Sequence, residues 1–399
     1  MKSGWRMRGF ATALFALLSA LFLLACIPTS APAADAPPKP QHVFIIVLEN
    51  ESYDVIFGPK SPALYLNALA REGALLKNYY GIGHNSLDNY IAMVSGQAPN
   101  PITQADCQYY VDFAATGIDK DGQAQGEGCV YPKNVPTIVN QLEAKGLTWK
   151  GYMEDMGNDP RRDNGTACAH PEFDKKNKEP TQRAAKGDQY ATRHNPFMYF
   201  HSIIDNAANC FAHVVNLSAL TTDLQNIVTT PNYVFITPNL CHDGHDAPCV
   251  DDQPGGLLSA DRFLQEYVPK ILNSPAFKRN GLLIVTFDEA EIYLVKNKLK
   301  SGDVSACCDE PSGPNIRGTV FGNVNKGPGI AGPGGGRIGA VLLSRYIREG
   351  TVSEVPYNHY SLLRSIEDFF DLKHLGYAGQ QGLKSFGADV FTQPSGEKY

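Results

Sequence analysis

The stretch GHNSLDNYIAMVSG, Gly83 to Gly96, sets a small hydroxyl, Ser86, just ahead of an amphipathic helical pattern. Ile91 and Val94 give that helix an inward stripe, and Asp88 or Asn89 is its expected cap. A serine in such a place is ordinarily a cap or a turn former. Beside a cation it becomes a nucleophile, because adjacent positive charge favours the alkoxide. The amides of the helix N-terminus, with the Asn89 side chain, would then cradle the oxygens of a phosphate. Ligands for a cation follow three apolar runs. HVFIIVL (42–48) ends in Glu49-Asn50, YVFIT (233–237) leads into PNLCHDGHD (238–246), and LLIVTF (282–287) ends in Asp288-Glu289. One acidic residue after a strand is usually a cap or a solvated turn; three such strand ends point to a metal centre. Glu49, Asn50, Asp288 and Glu289, with Ser86, offer hard oxygens suited to Ca²⁺, Mg²⁺ or Mn²⁺. His242, His245 and His359 would move the preference toward Zn²⁺ or Fe if they reached the ion. His84 is either a base or a surface turn residue. A Ser-His-Asp acyl hydrolase is the rival chemistry, but the chain has no G-x-S-x-G elbow.

These residues need a scaffold that gathers strand ends. The continuous β-branched runs, with IGAVLL (338–343) as a fourth, are typical of strands buried on both faces of a mostly parallel sheet. Helical patterns at 63–72, 135–145, 257–272 and 360–370 lie between them, so the expected fold is α/β and doubly wound. Ligands in such sheets sit beyond the carboxyl ends of the strands. Two polar, cysteine-bearing segments, 105–131 and 157–210, break the alternation and read as stapled insertions over one edge of the sheet. The Gly/Pro-rich segment 300–337 leads into a strand and not a helix, so it is expected as a surface loop and not a phosphate loop.

Lys2, Arg6 and Arg8 precede the apolar run 11–25, which is short for a membrane span and reads as a secretory signal ending near the Ala31-Pro32-Ala33 site. Leu23-Leu24-Ala25-Cys26 also resembles a lipobox, which would put a lipid anchor on Cys26. The expected organisation is a signal peptide at 1–33, a Pro/Ala-rich linker at 34–41 and one domain at 42–399. Either processing route places the domain outside the cytoplasm, secreted or periplasmic, with no integral membrane segment in the mature chain. The eight remaining cysteines form an even set suited to disulfides. Local pairing joins Cys107 with Cys129, Cys168 with Cys210, Cys241 with Cys249, and the adjacent Cys307 and Cys308. The formal charge of −6 falls to about −9 without the leader's three cations. That balance argues against nucleic-acid binding, and an anionic substrate would need local positive charge such as a bound metal.

Seven motifs in order, ENESYDVIFG, HNSLDNYIAMVSG, LEAKGLTWKGYMEDM, HNPFMYF, ITPNLCHDGHD, VTFDEAE and YNHYSLLRSIEDFFDL, make the chain from about His42 to Tyr377 resemble the bacterial phosphoesterase family. The resemblance implies an alkaline phosphatase-like fold and the activity of a secreted acid phosphatase or a phospholipase C-type enzyme. It implies Glu49, Asn50, Ser86, Asp288 and Glu289 as metal ligands, although Asp-Asp or Asp-His is commoner than Asp288-Glu289. Ser86 matches the nucleophile and Asn89 a phosphate-contacting amide. His242, His245 and His359 match histidines that bind phosphate, protonate the leaving group or hold a second metal; His194 recurs in the family too, with a structural role equally open. The expected enzyme hydrolyses phosphate monoesters through a phosphoserine, with His245 or His359 as the acid and His84 and His242 near the substrate. A phosphodiesterase acting on phospholipid or phosphoinositide is the alternative within hydrolases, and an inactive exported binding protein the alternative of another class.

Overall fold

The computed structural model describes residues 39–295, 298–316 and 327–392, together with residue 1 and the backbone of 319–320 and 323–324. The expected leader, Cys26 and most of the linker lie outside the described residues. Eight strands form the central sheet: β1 His42–Leu48, β2 Ala74–Leu76, β3 Trp149–Met153, β4 Val214–Asn216, β5 Tyr233–Thr237, β6 Gly281–Phe287, β7 Ala340–Ser344 and β8 Thr351–Ser353. Their lateral order is β8-β2-β7-β6-β1-β5-β3-β4. Every residue of β1, β5, β6 and β7 is buried, as expected of apolar strands covered on both faces.

Five of the pairings are parallel: β1 with β5 and β6, β3 with β5 and β4, and β8 with β2. β7 alone runs antiparallel to its neighbours β6 and β2. The strand expected at 338–343 therefore exists, two residues later and reversed. Among the described residues no crossover helix lies between β6 and β7, and a strand that returns without one runs antiparallel. β3, WKGYM, has no β-branched run by which sequence alone would reveal a strand. Its Gly151 is dictated by packing, since a Cβ there would lie 2.6 Å from the Phe197 ring.

The helices that matter for the site are α1 Leu64–Glu72, α2 Ser86–Ser95, α3 Ile138–Ala144, α4 Gly256–Asn273 and α5 His359–Phe369. The pattern at 135–145 yields a shorter helix because Thr137 and Asn140 form a capping box after Pro136. All ten residues of α2 are buried. Neither Asp88 nor Asn89 caps it: the chain turns at Asn85 with φ 68°, so Ser86 is the first helical residue and both lie in the first turn. Asn is among the few side chains that tolerate that left-handed turn.

All four expected disulfides are present, Cys107–Cys129, Cys168–Cys210, Cys241–Cys249 and the vicinal Cys307–Cys308. The first closes an insertion whose hairpin pairs Ala114–Ile118 with Ala124–Glu127. The expectation for 300–337 needs correction, because much of its C-terminal part is buried. Gly81 N donates to Gly336 O at 2.9 Å and Gly335 N to Gly81 O at 3.1 Å. A Cβ on Gly335 would lie 2.4 Å from the Gly83 carbonyl. The glycines serve close backbone packing, not surface turns.

One contact fixes two helices on the same side of the sheet. α1 has no side-chain cap of its own. Buried Asp261 of α4 accepts Tyr65 N at 3.0 Å and Leu66 N at 2.9 Å, supplying charge where the helix dipole is positive. Asp261→Ala should lower unfolding free energy by about 1–3 kcal/mol, the cost of orphaned buried amides. Denaturant titration measures it, and a change below about 0.5 kcal/mol would refute this capping role.

Candidate active site

Strand register does the first part of the assembly. Leu48 is paired with Phe287 across β1 and β6, so Glu49 and Asp288 leave adjacent parallel strands at one level. Backbone bonds extend the alignment beyond the sheet: Asp288 N to Leu48 O at 2.8 Å, Glu49 N to Asp243 O at 2.8 Å, and Glu51 N to Glu289 O at 3.1 Å. Three strand ends thus converge, including the one that follows β5.

Glu49 is the hub. Its Oε2 accepts from Ser86 Oγ at 2.7 Å and its Oε1 from the Tyr90 hydroxyl at 2.6 Å. Tyr90 stacks on His194, with ring centroids 5.4 Å apart and planes 13° from parallel. His194 Nε2 lies 3.3 Å from Glu49 Oε1, and its Nδ1 lies 3.9 Å from Asp243 Oδ2. Burial is the main reason that His194 is held well below the usual histidine pKa, so it is neutral here. Ser86 is 5% exposed and is the first residue of α2, whose second amide, Leu87 N, donates to Asp106 Oδ1 at 3.1 Å.

On the other side, Asn50 N donates to Asp288 Oδ1 at 3.0 Å and Asn50 Nδ2 to Glu289 Oε1 at 3.3 Å. His84 Nδ1 meets Glu289 Oε2 in a short contact, and its Nε2 lies 3.0 Å from the Asp303 carbonyl. The carbonyl only accepts, so Nε2 carries a proton. His84 is fully buried, and burial lowers its pKa to about 4. It is not the surface turn residue weighed from sequence: with the ring neutral and its proton on Nε2, Nδ1 accepts from the Glu289 carboxyl, whose pKa burial raises.

Whether these residues suit a cation is decided by charge and by unpaired atoms. Glu49, Asp243, Asp288 and Glu289 are at most 1% exposed. Burial, then Glu49's charge, pushes Asp243, Asp288 and Glu289 well above the ordinary carboxylate range, and burial raises Glu49 itself. Asn50 Oδ1 and Asp288 Oδ2 are buried without a hydrogen-bond partner. Buried carboxylates with orphaned oxygens fit a hard divalent ion, which would relieve the mutual repulsion. A different grouping, Cys241, Cys249 and Asp251, has metal-like spacing, but its sulfurs are bonded to each other.

The other expected residues divide. His359 Nε2 lies 2.6 Å from the Asp288 carbonyl and its Nδ1 3.1 Å from the Tyr79 hydroxyl. Both nitrogens are engaged, the ring is fully buried, and burial lowers its pKa to about 4, a poor arrangement for an acid. His242 bonds Glu154 at 2.9 Å and has no contact with the Glu49 group. Asn89 accepts from Ile82 N at 2.7 Å and Gly83 N at 3.1 Å and donates to Gly83 O at 3.2 Å, so its amide serves the loop that carries His84. His245 is exposed, 3.3 Å from Asp246 and 3.7 Å from Glu291. The Asp246 bond, helped by the charges of Glu49 and Asp243, raises its pKa to about 9 and keeps it charged.

Tyr90, Asp243 and Arg193 were not singled out from sequence. Tyr90 reads as a core aromatic one turn after Ser86, and Asp243 sat unremarked among the histidines of its loop. Arg193 and His194 come from the 157–210 insertion, which therefore builds the site as well as covering the sheet. Arg193 Nε lies 3.9 Å from Asp106, and its guanidinium feels the charges of Glu49 and Asp243.

Residues 59–373 match the model of the Phosphoesterase family. A probable acid phosphatase of Kluyveromyces lactis is 27% identical over 336 residues, covering 84% of this chain and 59% of that one. A phosphate-repressible acid phosphatase of Penicillium chrysogenum is 26% identical over 275 residues, 69% of this chain and 53% of its own. The chain thus spans about half the length of these acid phosphatases. A phosphatidylinositol-3-phosphatase of Mycobacterium tuberculosis is 25% identical over 371 residues, 92% of this chain and 90% of its own. Among solved structures, a protein in the alkaline phosphatase superfamily from Vibrio parahaemolyticus superposes with a TM-score of 0.46 at 12% identity, over 89% of this chain and 74% of that one. With the family's model matched across most of its length, this chain belongs to the phosphoesterase family.

Proposed function

We propose that this protein is an exported, metal-dependent phosphoric ester hydrolase that cleaves phosphate monoesters with Ser86 as nucleophile. The observation that carries this reading is the 2.7 Å bond from Ser86 Oγ to Glu49 at the start of a buried helix, beside orphaned oxygens of Asn50 and Asp288. The relatives' names favour monoesters over the phospholipase C-type alternative: two are acid phosphatases and one a phosphatidylinositol-3-phosphatase. Four disulfides support an oxidising compartment.

Glu49, Asn50, Ser86, Asp288 and Glu289 are the residues that would hold the ion, and such an ion supplies Lewis-acid charge to a phosphoryl oxygen and lowers the hydroxyl's pKa. Glu49 orients the Ser86 hydroxyl, and Tyr90 fixes Glu49 from its other oxygen. Arg193 and the α2 amides supply positive field for the phosphoryl group's non-bridging oxygens. Ser86 Oγ passes its proton to Glu49 Oε2 and bonds to phosphorus as the ester P–O bond breaks, and His245, charged and at the open side, gives its proton to the leaving alcohol and regains one from the attacking water. Water then hydrolyses the phosphoserine, releasing phosphate and restoring the hydroxyl.

Purified protein assayed with and without EDTA should hydrolyse p-nitrophenyl phosphate well, bis-p-nitrophenyl phosphate poorly, and neither after chelation. Preference for the diester would favour the phospholipase C-type reading, and no turnover of either would favour a binding protein. Ser86→Ala should lower kcat roughly 10³–10⁶-fold with melting temperature nearly unchanged. Retention of more than about a hundredth of kcat would remove Ser86 from the mechanism. His245→Gln should slow β-glycerophosphate hydrolysis by roughly 10²-fold or more but p-nitrophenyl phosphate much less, since nitrophenolate leaves without a proton. Equal losses on both substrates would count against a proton-donor role.

A further inference from the structure

A second set of buried polar atoms lies behind the nucleophile's helix. Asp88 follows Ser86 by two residues, roughly 200° around α2. It is 1% exposed, and neither carboxylate oxygen has a hydrogen-bond partner. Glu310 Oε1 and the hydroxyl of fully buried Tyr360 are also without partners. α2 and α5 pack on each other, and Tyr360 lies in one apolar cluster with Ile82 and Ala92, against which Cys308 packs two residues before Glu310. Asp88 feels the charges of Glu289, Asp106 and Glu310, and the Tyr360 hydroxyl those of Glu310 and Asp88. The other Glu310 oxygen accepts from Asn358 Nδ2 at 3.3 Å, and Asn358 caps α5 through Ser361 N at 3.1 Å. The Asp88 oxygens press on the loop above, since a Cβ at Gly83 would lie 2.5 and 2.7 Å from them.

We propose that Asp88, Glu310 and the Tyr360 hydroxyl form a second, buried site for a hard, oxygen-coordinated cation of the Ca²⁺ class. Protonation alone leaves the difficulty in place, because a neutral carboxyl still needs an acceptor for its O–H and a donor for its C=O. All the donors are oxygen and two are carboxylates, with no nitrogen or sulfur, which selects a hard ion over zinc. Ca²⁺ accepts irregular oxygen sets completed by water. The ion would tie together α2, the segment after Cys307–Cys308 and α5, and so brace the helix that presents Ser86. This site does not rest on the catalytic reading.

The test uses the full chain stripped of metal and titrated with Ca²⁺ by calorimetry, in the Glu49→Gln background to weaken the first centre. That variant should bind one Ca²⁺ more than Glu49→Gln/Asp88→Asn, and Tyr360→Phe in the same background should weaken the binding roughly tenfold. Ca²⁺ should also raise the melting temperature of Glu49→Gln and leave that of the double variant unchanged. If Asp88→Asn does not fold, Glu310→Gln takes its place with the same expected loss. Equal Ca²⁺ stoichiometry with and without Asp88 would overturn the proposal and leave water as the partner of these oxygens. Phosphatase activity insensitive to EDTA, with Asp88-dependent Ca²⁺ binding intact, would strike the metal-dependent mechanism and spare this site.

Discussion

Everything at the carboxyl edge answers to one electrostatic constraint: Glu49, Asp243, Asp288 and Glu289 are packed together out of water. Like charges held together out of water repel one another far more strongly than they would in it. A fold accepts such an arrangement only where positive charge arrives or protons are taken up. The parallel register leaves no choice about the crowding, because Leu48 and Phe287 end their strands side by side and Asp243 O holds Glu49 N. The same register that makes the sheet stable makes the edge hungry for a cation.

The neighbours of those carboxylates are arranged to orient them more than to neutralise them. Tyr90, stacked on His194, holds one oxygen of Glu49, which leaves the other for Ser86. His84 grips Glu289, and His359 holds the backbone carbonyl of Asp288. Both imidazoles are kept neutral by burial, so they act as rigid struts and not as proton carriers. Fixed charge comes from Arg193 and His245, of which only His245 stands at the open side. That division separates residues that shape the site from one placed to exchange a proton with the surroundings.

The irregular segments carry much of this geometry. Arg193 and His194 sit in the insertion closed by Cys168–Cys210, and the Asp303 carbonyl that sets the His84 tautomer comes from the long segment after β6. Loops reaching over a sheet edge would not hold such positions unaided. Disulfides, backbone bonds between Gly81 and the 335–336 turn, and buried side chains give them the rigidity that strands have from their ladders. The 241–249 bridge does the same for the loop bearing Asp243 and His245.

Local chemistry in the sequence determined the apolar strands, their alternation with helices, the cysteine partners, and the oxygen-bearing residues after each strand. These are legible because a buried strand must be apolar along its length and because cysteines that form disulfides pair with what is near. The direction of β7, the turn at Asn85 that makes Ser86 the first helical residue, and the burial of 327–336 depend on which segments meet in space. So do the roles of the histidines: sequence offers His245 or His359 as the acid and sets His84 and His242 near the substrate, whereas burial and hydrogen-bond partners make His84 and His359 struts, leave His242 with Glu154 and charge His245. Tyr90 and Asp243 gain their importance only from touching Glu49 and His194. A side chain's type is set by its codon, but its protonation and its partners are set by neighbours far along the chain, which only the tertiary structure brings within reach.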